Sequence, residues 1–204
     1  MKSFLKKYSF PVGFAIWEMI PPEAKRNLLS SLLNPRALSP YIDRLPAPLK
    51  NRFLDLASLI NDPFVATMGL KVLSWEDLKV EIHLPDSFQN RNASQKLHIG
   101  AISTLAELTS RLFWERHLDP KLSSMQSVSV HVEILNKEYG SLRSLLTCSL
   151  PDIEEKLFEL RSKGTLSCES EVQIFDDQKL VATATLGWIL KQKTTLAAGS
   201  KKEI

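Results

Sequence analysis

The strongest constraint on the fold is residues 99–117, IGAISTLAELTSRLFWERH, where Ala101, Leu105, Leu108 and Leu112 recur at helical spacing. A stripe of that kind must be buried against something. On either side of it the apolar period drops to two. Leu78, Val80, Ile82 and Leu84 alternate with Lys79, Glu81 and His83, which predicts a half-buried strand. Residues 69–75 supply its antiparallel partner across a turn at Glu76-Asp77. Asp119-Pro120 stops the helix. Three further alternating runs follow: Val128, Val130, Val132 and Ile134; then Leu142, Ser144, Leu146 and Cys148; then Leu166, Cys168, Val172 and Ile174. Beyond an Asp176-Asp177 turn, Leu180, Ala182, Ala184, Leu186 and Trp188 make the last strand. Residues 153–161, acidic at the start, basic at the end and closed by Gly164, predict a short helix between the strands.

Two strands, one long apolar helix and four strands predict an α+β fold. About six antiparallel strands would wrap round the central helix, each with one face buried. A length of 204 residues suits one such domain, placed at 63–192, with an extension. Residues 1–62 are expected to form an N-terminal helical extension, broken by Pro21-Pro22, Pro35, Pro40, Pro46 and Pro48, with an inward face of Leu54, Leu56, Leu59 and Ile60. Residues 193–204 are polar and small, and are expected to be a disordered tail.

Composition removes several classes. A net charge of +3, with the basic residues scattered, gives no nucleic-acid footprint. His83, His98, His117 and His131 lack metal-ligand spacing, so no metal is expected. No phosphate-cradling glycine loop occurs, and no cofactor is expected. Cys148 and Cys168 read as small hydrophobes in strands, not as a disulfide. The basic-then-apolar start has Glu18 inside its apolar run and no small-residue cleavage site, which argues against a secretory signal and leaves the cytoplasm as the default. Packing on the domain is the simpler reading of that segment. Peripheral membrane contact is the other, because Lys2, Lys6 and Lys7 accompany Phe4, Tyr8, Phe10, Phe14 and Trp17.

The chemistry concentrates where a polar loop enters the central helix, N-A-S-Q-K-L-H-I-G-A-I-S-T-L-A-E over residues 92–107. Free backbone N–H groups at a helix start suit a developing oxyanion, and Glu107 two turns along could act as base or nucleophile. Each residue also has a plainer role. Glu107 can pair with Arg111 four positions on. His98 can be a cap, and Asn92 an ordinary turn residue. Trp114 can be packing, Lys96 a solvated loop lysine, and Ser103 lacks a nucleophile elbow.

Asn92, His98, Gly100 and Glu107 together resemble the N-x-x-G-T-x-H-G-G-x-x-x-x-x-x-D/E signature of hotdog-fold acyl-CoA thioesterases. They are similar above all to a branch known only as a domain of unknown function. The resemblance spans roughly residues 63–190. It implies a hotdog fold and hydrolysis of an acyl thioester carried on coenzyme A or an acyl carrier protein. Glu107 would be base or nucleophile, Gly100 N–H the oxyanion donor, and His98 and Asn92 the positioning groups. Lys96, Ile99, Ser103 and Trp114 would touch substrate, Lys96 at a coenzyme phosphate and Trp114 along the acyl tunnel. A homodimer, or a tetramer built from it, is implied too, since loop and acid commonly come from different subunits. Two departures stand out: Gln95-Lys96 replaces G-T, and Ile99 replaces the first Gly of H-G-G. They keep a non-catalytic acyl-CoA or lipid-binding module in play. A hotdog dehydratase is disfavoured, because its Asp-x-x-x-x-His pattern is missing.

Overall fold

The computed structural model describes residues 63–119, 121–136 and 140–193; the expected N-terminal helices and the expected tail lie outside them. In chain order the elements are α1 (Pro63–Met68), β1 (Lys71–Trp75), β2 (Lys79–Leu84), α2 (Ile99–His117), β3 (Ser123–Ile134), β4 (Leu142–Thr147), α3 (Leu150–Lys163), β5 (Thr165–Asp176) and β6 (Lys179–Gln192). All six strands form one antiparallel sheet in the order β1-β2-β4-β5-β6-β3. The sheet curls round α2, which packs against β2, β3, β4, β5 and β6. This is the hotdog arrangement.

The long helix occupies the residues its pattern predicts, and its buried face is wider than one stripe. Ile102, Ala106, Thr109, Ser110, Phe113 and Trp114 are buried as well as Ala101, Leu105, Leu108 and Leu112. The inner faces of the strands meet it with Val80, Ile82, Leu84, Leu142, Leu146, Val172, Ile174, Leu186 and Leu190. Burying each such Leu or Ile contributes about 1.5–3 kcal/mol. Three indole N–H groups tie the helix to the sheet. Trp75 Nε1 donates to the Leu112 carbonyl at 2.9 Å, Trp188 Nε1 to Ser110 Oγ at 2.7 Å, and Trp114 Nε1 to Ser170 Oγ at 3.0 Å. Thr109 Oγ1 and Ser144 Oγ, 2.6 Å apart, add a buried link from helix to β4. Apolar packing alone would let α2 slide; these polar ties allow one register.

Several expectations need correction. A short helix, α1, precedes β1 at residues to which no element had been assigned. Leu78 lies in the Glu76–Lys79 turn and is 42% exposed, so it is not part of the inner face of β2. Glu81, expected to face solvent, is buried between Lys79 and Arg143, with salt bridges of 2.7 and 2.8 Å. Val128 and Val130 are exposed because β3 is an edge strand, irregular between Ser127 and Ser129. Helix α3 begins three residues before the expected start. Ser149 caps it by accepting from the Asp152 amide, and Gly164 closes it at φ 71°. Both cysteines are free and half-buried, and Cys148 lies just beyond β4. Burial pushes the Cys168 thiol up to about 11 and raises that of Cys148 as well, so neither is poised as a nucleophile.

Candidate functional site

The loop from β2 to α2 is held by its own polar residues. Asn90 is fully buried, and its Nδ2 donates to the carbonyls of Met68 and Pro85, both at 2.9 Å. Arg91 forms a two-pronged pair with Asp86 and also donates to the Gln95 carbonyl at 2.7 Å. An antiparallel bridge joins Arg91 to Leu97. Sequence reasoning passed over Asn90 and Arg91. The buried role of Asn90 has no local signal, since its partners are carbonyls from α1 and from the end of β2.

Inside this clamp Asn92 folds back on its own loop. Its Oδ1 accepts from the amides of Ser94 (2.9 Å) and Lys96 (3.1 Å), an Asx turn of the kind expected of a turn residue. Gln95 sits at φ 60°. The thioesterase signature has glycine at that place, so the backbone keeps the left-handed turn although the residue that makes it cheap has gone. Lys96 is exposed.

His98 is the N-cap of α2. Its Nδ1 accepts from the Gly100 amide at 2.9 Å, which places the imidazole where a Cβ on residue 100 would stand: an added Cβ would lie 2.9 Å from Nδ1 and 3.3 Å from Cε1. A Cβ there would crowd the ring, which would have to shift to keep the contact. The Gly100 N–H, expected to be a free oxyanion donor, is engaged by His98. Ile99 points outward at 48% exposure. Ser103 Oγ donates to the Ile99 carbonyl at 3.0 Å, a helix-surface back-bond and not an activated nucleophile.

Glu107 lies two turns beyond Gly100, half-buried, and makes no hydrogen bond or ion pair among the described residues. Seven residues carry the helix through nearly two full turns, so Gly100 and Glu107 share one stripe, about 10 Å apart along the axis. The pairing of Glu107 with Arg111 that the spacing allowed is absent from the structure; Arg111 Nε faces Glu115 at 3.9 Å instead. Burial raises the Glu115 carboxyl, with the Arg111 guanidinium pulling the other way. Trp114 is buried in the core, edge-on to Phe113 at 5.5 Å. His117 meets the Asp77 carbonyl at 2.8 Å, and His131 is exposed on β3. An open depression of about 490 Å³ lined by His83, Ser141, Leu142, Arg143, Asp177 and Gln178 shares no residue with the loop or the stripe. No group of three or more metal-type ligands occurs among the described residues, and no described helix is long and apolar enough to cross a membrane.

The chain is similar in fold to several solved structures. A Pseudomonas aeruginosa protein of unknown function described as a probable thioesterase aligns over 73% of this chain and 97% of its own, at 21% identity and a TM-score of 0.65. A Chlorobaculum tepidum protein of unknown function aligns over 80% and 99%, at 13% identity and 0.60. A thioesterase family protein from Silicibacter pomeroyi aligns over 68% and 96%, at 18% identity and 0.52. At these identities the likeness establishes the fold. No curated protein matches. A family model described as a domain of unknown function, DUF4442, matches residues 50–190, well over half of the chain. The protein therefore belongs to the DUF4442 family, a domain of unknown function, and has the hotdog fold.

Proposed function

We propose that the protein hydrolyses an acyl thioester, with acyl-CoA as the favoured substrate. The observation that carries this reading is Glu107: a half-buried carboxylate with no partner among the described residues. Glu107 takes a proton from water as the water oxygen attacks the thioester carbonyl carbon. The oxyanion forms against the Gly100 N–H. Collapse breaks the C–S bond, and the thiolate leaves with the proton held by Glu107, giving a free acid and a thiol. Asn92 shapes the loop, Lys96 offers a cation for a coenzyme phosphate, and Ile99 supplies apolar surface. Water is the only co-reactant.

The axial rise of about 10 Å from Gly100 to Glu107 is long for one thioester to bridge within a single chain. A homodimer in which one protomer's loop faces its partner's acid resolves that mismatch. The free edge of β3 offers the surface, with Val128 at 50% and Val130 at 38% exposure. Val130→Lys should halve the mass found by sedimentation; a dimer that survives it would move the interface elsewhere.

The second reading, a non-catalytic acyl-CoA or lipid-binding protein, draws on the Gly100 amide being engaged by His98. Thiol release from short, medium and long acyl-CoAs, wild type beside Glu107→Ala, decides between them. Hydrolysis that collapses at least a hundredfold in the variant supports the enzyme. Saturable acyl-CoA binding with no thiol released would leave the binding module.

A further inference from the structure

We infer that His98 is a latch on the oxyanion donor, one that the substrate must displace before Gly100 can serve it. The inference rests on the hydrolase reading above and concerns the same site. At the N-terminus of α2 the amides of Ala101 and Ile102 are consumed by the His98 carbonyl, at 2.9 and 3.3 Å. The Gly100 amide is consumed by the His98 ring, at 2.9 Å. A ring nitrogen that accepts has no proton to give, so in this pose Nδ1 cannot donate to a carbonyl oxygen. The same contact therefore occupies the donor and withholds Nδ1 as a substitute for it.

The latch is built to open. His98 is exposed, with non-helical backbone, φ −72° and ψ 137°, so a turn about its χ1 disturbs no core packing. Gly100 lets it close uncrowded, because a Cβ at that place would press on the imidazole. Asn92, by contrast, is fixed by two amides of its own loop, whereas His98 can leave without dismantling that turn.

If His98 held or activated substrate, removing its ring would weaken binding and slow turnover. As a latch, its removal does the reverse. The probe is an S-(2-oxoalkyl)-CoA, which keeps the carbonyl and cannot be hydrolysed. His98→Ala should bind it about three- to tenfold more tightly, the equilibrium equivalent of one exposed neutral hydrogen bond no longer broken on binding. His98→Asn, which restores a side-chain acceptor at the cap, should bring affinity back down. In nitrogen-15 spectra of the full chain, Gly100 amide exchange should speed up in His98→Ala, slow again in His98→Asn, and its resonance should move on adding the probe to wild type. Weaker or unchanged binding by His98→Ala, or equal Gly100 exchange in all three proteins, overturns the latch. The hydrolase reading fails separately, and takes the latch with it, if wild type releases no thiol; turnover lost in Glu107→Ala but not raised in His98→Ala sinks the latch alone.

Discussion

Trp188 and Ser110 provide a test of what holds the central helix in register. The indole N–H donates to Ser110 Oγ at 2.7 Å, with Trp188 2% and Ser110 0% exposed. Ser110→Ala strands a buried N–H, at about 1–3 kcal/mol, offset by the roughly 0.5 kcal/mol that alanine gains inside a helix. Trp188→Phe leaves the hydroxyl without its donor and opens a small cavity where the larger ring was. About 2–3 kcal/mol is expected, softened if Ser110 turns back to its own helix. The double variant has no stranded group left. Its cost should therefore fall short of the sum of the singles by about 1–2 kcal/mol, the unsatisfied-group penalty counted twice in that sum. Urea unfolding of the four proteins measures the coupling, and thermal midpoints should follow at about 2–4 °C per kcal/mol. Additivity within about 0.5 kcal/mol would refute the argument, because it would mean that the hydrogen bond contributes nothing the packing does not.

Gln95→Gly should stabilise the protein by about 0.5–1 kcal/mol, since relief at φ 60° exceeds the entropy a glycine adds to the unfolded chain; a loss of stability would show that Gln95 makes a contact worth more than the strain. Gly164→Ala should cost about 1 kcal/mol by urea unfolding, because φ 71° penalises a Cβ even though nothing crowds it there. Burial alone would raise the Glu81 carboxyl, but hydrogen bonds from Lys79 and Arg143 outweigh it, and the net shift is downward from 4.5. A lowered folded-state value means stability that is full above 4.5 and lost as pH falls below it; Glu81→Gln should flatten that acid limb in pH-dependent unfolding, and an unchanged limb would assign it to other carboxylates.

Much of the fold was legible because local periodicity records which face of an element is buried. The expected helix over 99–117 coincides with α2, and Leu142, Ser144 and Leu146 do face inward on β4. Periodicity fails where burial depends on a neighbour distant in sequence. Val128 and Val130 have the same alternation as the inner strands, and they are exposed where the edge strand β3 is irregular, around Ser127 and Ser129. Glu81 reads as a surface residue until β4 brings Arg143 beside it.

The site divides in the same way. Residue types and spacing determined that a polar loop meets a helix at His98-Ile99-Gly100 and that Glu107 follows on the same stripe, because a helix of fixed pitch leaves no other placement. The sequence offered Glu107 a partner in Arg111, and the tertiary structure left it without one among the described residues while Arg111 turned to Glu115. The sequence likewise offered a free Gly100 amide, and the folded loop placed the His98 ring upon it. Spacing states which groups are within reach of one another; which of them bond is settled by rotamers and neighbours that exist only once the sheet has closed round the helix.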